Sequence, residues 1–425
     1  MLLRSVFLLT SLSLLPAQAA TWIGGEGNWE DAGKWAPSDV PDSSVEAADI
    51  GSGSTAIVST SITVGSVTLL DTIVLNAGAT LVNEGLFNAG GNSSAQIRGS
   101  AMGTGVLVNE GIFRKAGAGW VGVSAAFTNA GRVEVSGGNT DFSGIFTGET
   151  GSEFDVASGA VATFQYGEVR GTVVTTGAGV VRIAGTTTNQ GSLTFNGASN
   201  WAGTLTGSGT TYVGSAGTMS ISDQFSTANL SGHTLVNDGV VNIGATGPNQ
   251  FYTSRLDLGN GATLVNKGQF NLVGSSSSQI SASGLGSNVF RNEGTFSKAG
   301  TSWAGISAAF TNAGRVEVSG GYTDFNGIYT GEVGSEFDVA SGAVASFQYG
   351  EVRGTVVTTG AGVVRIAGTT TNQGSLTFNG AGNWAGTLTG SGTTYVGSAG
   401  TMSINDQFST ANLSGHTLVN DGVVN

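Results

Sequence analysis

The chain of 425 residues has no cysteine, four prolines and two histidines. Without cysteine there can be no disulfide scaffold, thiolate metal centre or cysteine nucleophile. Two histidines give little support to a zinc enzyme or a Ser-His-Asp hydrolase. Charged residues make up 10%, against roughly 25% in an ordinary soluble domain. The balance is acidic, a formal −13, with no basic patch to neutralise phosphates, which argues against nucleic acid as a partner. After the first twenty residues no run approaches the roughly 20 apolar residues of a membrane-spanning helix. What is abundant is glycine, 72 residues. Collagen is excluded, because glycine does not recur at every third position. Disorder is disfavoured by the 39% hydrophobic content combined with few charges.

The first residues read as a leader. Arg4 supplies a positive start, Val6 to Leu15 an apolar stretch, and Ala17-Gln18-Ala19 a small-residue cleavage site. Residues 1–19 are therefore expected to be a Sec-type signal peptide, and the mature protein to be secreted or displayed at the cell surface.

Self-comparison gives the main fact. Ser124–Asn242 recurs at Ser307–Asn425 with no gap, and 112 of 119 positions are identical. The differing pairs are Asn139/Tyr322, Ser143/Asn326, Phe146/Tyr329, Thr150/Val333, Thr163/Ser346, Ser199/Gly382 and Ser222/Asn405. Upstream the likeness continues more weakly, as at Trp120 and Trp303. The reading divides the chain into the leader, a Trp-rich N-terminal cap at 20–59, one repeat copy at 60–242 and a second at 243–425.

Within each copy a shorter motif recurs: apolar, any, Asn, any, Gly, any, apolar. It includes Leu81-Val82-Asn83-Glu84-Gly85-Leu86-Phe87, Leu107-Val108-Asn109-Glu110-Gly111-Ile112-Phe113 and Phe127-Thr128-Asn129-Ala130-Gly131-Arg132-Val133. Taking the gap from Asn129 to Asn189 as three units and that from Asn189 to Asn237 as two gives eight units per copy. Each unit is then about 23 residues, the length of one solenoid coil. Arg132-Val133-Glu134-Val135 and Glu153-Phe154-Asp155-Val156 alternate polar and apolar with the period of a strand. Glycine and Asn are placed at the turns, where a positive φ is tolerated, and Asn side chains are expected to stack between coils. The expected fold is all-β, a parallel β-helix of about sixteen coils. Trp22, Trp29 and Trp35 are expected to cover the first coil, with a carbohydrate-binding platform as the functional alternative.

The stretch Thr21-Trp22-Ile23-Gly24-Gly25, with Gly27-Asn28-Trp29, Lys34-Trp35 and Val40-Pro41, resembles the opening segment of large bacterial exported β-helical proteins. The runs Phe113-Arg114-Lys115-Ala116-Gly117, Phe127 to Gly138 and Gly177 to Gly185 are similar to their coils. Such proteins are described as autotransporter-like or filamentous-haemagglutinin-like. The resemblance implies a parallel β-helix and a surface role as adhesin or filament. The sequence lacks the membrane barrel with which an autotransporter ends and stops inside a coil, so a truncated chain is expected.

Parallel β-helices also carry polysaccharide lyases and hydrolases. Glu153 and Asp155, with Glu336 and Asp338, lie two residues apart on one strand face, about 7 Å, a spacing within the range of glycosidase carboxylate pairs. The structural alternative is that outward strand positions are simply polar. Glu168 with Arg170, and Glu351 with Arg353, read as same-face ion pairs. Asp141 and Asp324 read as turn caps, and His233 and His416 as turn histidines. A binding face would draw on exposed aromatics, with Phe146/Tyr329, Tyr166/Tyr349 and Trp201/Trp384 as candidates, several of which suit the core equally and are not assigned as sites. No cofactor or metal motif occurs. The sequence favours a non-catalytic surface protein, adhesin-like or filamentous, over a polysaccharide-acting enzyme. Surface polysaccharide, a host or neighbouring cell surface, and end-to-end self-association are the expected partners.

Overall fold

A computed structural model describes residues 19–92, 94–100, 105–221, 227–244, 254–274, 277–404 and 410–425. All of the expected leader but Ala19, and the difference at 222/405, lie outside them. Strands make up 64% of the chain, and no α-helix occurs among the described residues. The alternation read from the sequence is the cause. In Arg132–Val135, Val133 and Val135 are buried while Arg132 and Glu134 point outward. The same outward-inward pattern recurs in nearly every four-residue strand.

The strands wind into a parallel β-solenoid of about 17 turns with a spacing of roughly 21 residues. Each coil has three strands, one on each of three faces. In one coil these are Val106–Asn109 on the first face, Ile112–Lys115 on the second and Trp120–Val123 on the third. Each pairs in parallel with its counterpart a coil later, Leu107 with Phe127, Phe113 with Val133, Val121 with Thr140. At about 4.8 Å per coil the rod is roughly 80 Å long.

The coil is shorter than the 23 residues expected, and the difference changes the geometry of the duplication. Following the first face from Phe127 leads through Phe146, Gly167, Thr187, Leu205, Leu230 and the strands Ser254–Gly259 and Ser278–Ser283 to Trp303–Ile306. That strand is the counterpart of Trp120–Val123, not of Ala126–Asn129. The counterpart of Phe127 is Phe310, which lies on the second face, in register with Phe290 and Leu264. One copy thus spans eight coils and one further strand, about eight and a third coils. The second copy is turned by one face relative to the first. The Asn-x-Gly motif marks corners, and all three corners accept it. The gap from Asn189 to Asn237 crosses from a first-face corner to a second-face corner, so it is not two whole coils.

The interior is a continuous apolar column. Phe87, Phe113, Phe127 and Phe142 stack with centroids 5.1–5.5 Å apart at each step, and Phe142 continues to Phe164 at 5.0 Å. In the second copy Phe270, Phe290, Phe310, Phe325 and Phe347 form a similar column, with Phe290 standing where the first copy has Leu107. Aromatic pairs at these separations add to the area they bury.

The expected Asn stacking is present and fully buried. Asn83 donates through Nδ2 to Asn109 Oδ1 at 2.8 Å, and Asn109 to Asn129 at 2.7 Å; Asn129 donates to the Ser152 hydroxyl. A second ladder runs Asn237, Asn266, Asn292, Asn312 and ends on Ser335. The two ladders stand on different corners, as the one-face turn requires. Positive φ is not the reason for the glycine of this motif. Gly85, Gly111 and Gly131 lack it. A Cβ on Gly111 would stand 2.1 Å from the Gly85 carbonyl, and one on Gly131 the same distance from that of Gly111. Close approach of successive coils is what selects glycine there.

At the N-terminus, Ala20–Trp22 pairs antiparallel with Trp35–Ala36, placing Thr21 against Ala36. Trp22, Trp29 and Trp35 are buried and pack edge to face at 4.8–5.0 Å. These indoles therefore present no binding platform.

Candidate binding face

The carboxylates singled out from sequence are on the outer surface of the second face in the first copy. Arg132 takes both, with Nη1 3.3 Å from Glu153 and Nη2 2.7 Å from Asp155, and also meets Glu134 at 3.0 Å. Arg315 repeats this with Glu336 at 2.9 Å and Asp338 at 2.7 Å. The side chains are each about two-fifths exposed, so this is a shared ion cluster on a flat surface and contributes little to stability. Glu168 and Arg170 pair at 2.8 Å, as do Glu351 and Arg353. The Arg170 guanidinium holds the Glu168 carboxyl below the usual range.

The structure decides the aromatic alternative and corrects the turn reading of two aspartates. Phe146, Tyr329, Trp201 and Trp384 are core residues, because they occupy inward positions of their strands; of the aromatics named, only Tyr166 and Tyr349 are exposed, at 58% and 59%. Asp141 and Asp324 sit within strands, not turns, where each accepts a hydrogen bond from an indole.

His233 does sit at a corner, and it is buried. Its Nδ1 lies 2.8 Å from the Gly207 carbonyl, which can only accept, so Nδ1 carries the proton. Nε2 then accepts from Thr211, whose hydroxyl accepts from Asn189. The chain is closed only for neutral imidazole. Burial lowers the pKa of His233 from 6.5. The unfolded chain then binds the proton more readily than the folded one. Stability from this group is full above about pH 6.5 and is lost as the pH falls below it. Thermal melts at pH 7.5 and pH 5 should show that loss, and His233→Gln should reduce it; an equal loss in the variant would refute the assignment.

Sequence reading missed Lys115 and Lys298. Both are fully buried at inward positions. Lys115 Nζ donates to the carbonyls of Ala116, Gly117 and Gly137 at 2.9, 2.7 and 3.0 Å; Lys298 does the same with Ala299, Gly300 and Gly320. Burial lowers both pKa values. The signal was present in the alternation Ile112-Phe113-Arg114-Lys115, which puts the lysine on the side of the phenylalanine. Lys115→Met should cost about 1–2 kcal/mol, because three hydrogen bonds from a charged donor to the corner carbonyls are lost, although those carbonyls can turn to water; urea unfolding would measure it.

The third face of the first copy carries an aromatic feature the sequence did not single out. Trp120 folds flat over Gly122, where any Cβ would meet the ring at 2.1 Å. Its Nε1 donates to Asp141 at 2.6 Å. In the second copy Trp303 lies over Gly305 and donates to Asp324 at 2.6 Å. There Tyr322, 50% exposed, stands beside it on the next coil. From Tyr322 an apolar row continues outward through Val344, Val363 and Ala381, with a polar row of Asp324, Ser346, Arg365 and Asn383 alongside. Tyr322, Val344, Val363 and Ala381 of the apolar row, with Arg365, Asn383 and Ser403, line a groove of about 350 Å³; Ser346 is buried beneath it. Among the described residues no group of His, Asp or Glu is arranged to hold a metal ion, and no helix is long and apolar enough to cross a membrane. Comparison of the chain with family models, with characterised proteins and with solved structures finds no match.

Proposed function

We propose that the protein is an exported surface rod that serves adhesion or filament formation and not turnover. The observation that carries this reading is the continuity of the duplication. Two copies identical at 112 of 119 positions run into one another through unbroken strand pairing. In such a solenoid each coil contacts only its neighbours, so copying a segment lengthens the rod without disturbing it. Length is useful to display and adhesion. A catalytic centre gains nothing from length and needs a single preorganised cleft. The leader-like residues Arg4 to Ala19 support export, and the burial of Trp22, Trp29 and Trp35 supports a role for the N-terminal segment in covering the first coil.

Protease shaving of intact cells that make the protein should release its fragments, and an intact rod protected until lysis would refute surface exposure. Purified protein should show no turnover on a panel of polysaccharides. Turnover that disappears in a Glu153→Gln, Asp155→Asn double variant would favour a lyase or hydrolase on the same scaffold. In the absence of turnover, that double variant should melt within about 1 kcal/mol of the parent, since exposed ion pairs contribute little.

A further inference from the structure

We propose that the groove beginning at Tyr322, together with the neighbouring Trp303 ring, binds an uncharged polysaccharide chain, and that the Trp120 face is a second, weaker site pointing in another direction. The inference rests on the surface-rod reading and adds a ligand class to it.

Four observations lead to this ligand. Trp303 is laid flat by the missing side chain of Gly305 and pinned by Asp324, so the ring is held in place before any ligand arrives. Tyr322 is the neighbouring ring, in register one coil on, about 4.8 Å along the rod. Beyond the rings an apolar row and a row of hydrogen-bonding side chains run side by side at the same spacing. A ligand that matches has an apolar face, a rim of hydroxyls and an extended repeating form, which describes linked pyranose rings. Finally, Arg365 is the one charged residue among the described residues that line the groove, and the whole chain is acidic. A single cation on an acidic rod is a poor match for a polyanion.

Of the six differing pairs among the described residues, two fall on residues that line the groove, Asn139/Tyr322 and Ser199/Gly382. The first copy keeps the flat indole but has Asn139 where the second has Tyr322. The one-face turn of the duplication then fixes the relation between the sites. The Trp120 strand of the first copy is on the third face, and the groove of the second copy is on the first face. Their centres are about 40 Å apart along the axis. A straight chain lying along the rod cannot occupy both, so one rod holds two chains.

The natural differences supply variants that the fold already accepts. Purified protein would be passed over immobilised dextran, mannan, xylan and galactan, with alginate as the acidic probe. Retention on at least one neutral probe is expected. Tyr322→Asn, which restores the residue of the first copy, should weaken that binding about tenfold, and Trp303→Ala should weaken it further. Asn139→Tyr should strengthen it and make the soluble form of the same probe turbid by bridging. Retention on alginate alone, retention on nothing, or binding unchanged in both weakened variants would overturn the proposal. So would a dimer in sedimentation that Tyr322→Asn dissolves, since the groove would then seat a second copy of the chain. Protease shaving is independent of these readouts, so failure of the ligand assignment and failure of the surface reading can be told apart.

Discussion

Gly111→Ala should destabilise the coils around it by about 3 kcal/mol, the upper range for overpacking. The new methyl would stand 2.1 Å from the Gly85 carbonyl oxygen and 2.6 Å from that of Glu84. Both are backbone atoms of the preceding coil, so neither can swing away as a side chain could. Relief requires the coils to part, and the corner bonds oppose this: the amides of Glu110 and Gly111 both donate to the Asn83 carbonyl, at 2.9 and 3.1 Å. In a solenoid the loss stays local, because stability is a sum of coil and interface contributions. Hydrogen exchange should therefore accelerate from about Thr80 to Val135 and remain unchanged at Val289–Asn292 and Arg315–Val318. Gly51→Ala is the control, since nothing lies within 4 Å of its Cβ position and its φ is not positive. Equal exchange in the two variants would show that glycine is needed at the Asn-x-Gly corner for some other reason.

The class of fold was legible because each level of the sequence pointed to it. The two-residue alternation defined strands, the repeat defined coils, and the Asn spacing predicted ladders that the structure contains. The phase of the duplication was hidden for a physical reason. A corner that carries the motif asks only for an inward amide and a glycine, and any of the three corners can supply them. The motif therefore marks a corner without distinguishing which of the three it is. The candidate face was hidden for a related reason. Trp120 and Trp201 look alike in sequence, yet Trp201 sits at an inward position and donates to the Gly203 carbonyl inside the core. Trp120 has an outward position opposite the gap left by Gly122. Which side of a strand a residue faces is fixed by register, and the register is set by bulges such as that between Phe142 and Ile145. Composition does not reveal it. Lys115 is the opposite case: the alternation placed it inward, and only the habit of counting lysine as exposed concealed it.

Asn109→Leu should cost about 3–4 kcal/mol, although leucine fills nearly the same space in an apolar interior. The Asn109 amide sits at the centre of its ladder. It accepts from Asn83 and donates to Asn129 Oδ1, with further contacts to the carbonyls of Gly111 at 3.2 Å and Arg132 at 3.1 Å. Leucine would leave the Asn129 oxygen without its donor, and the Asn83 amide would lose its ladder acceptor. Each buried polar group stranded in this way costs about 1–3 kcal/mol. The apolar side chain returns part of that by burial. The upstream end is already under-satisfied, because Asn83 Oδ1 has no partner where the preceding coil offers Val64. The double variant Asn83→Val, Asn109→Leu should therefore cost less than the sum of the single changes, since it removes the amide that Asn109→Leu strands. Urea unfolding of the two single variants and the double measures that coupling. Additive costs would mean that the ladder is a row of independent amides and does not act as a connected element.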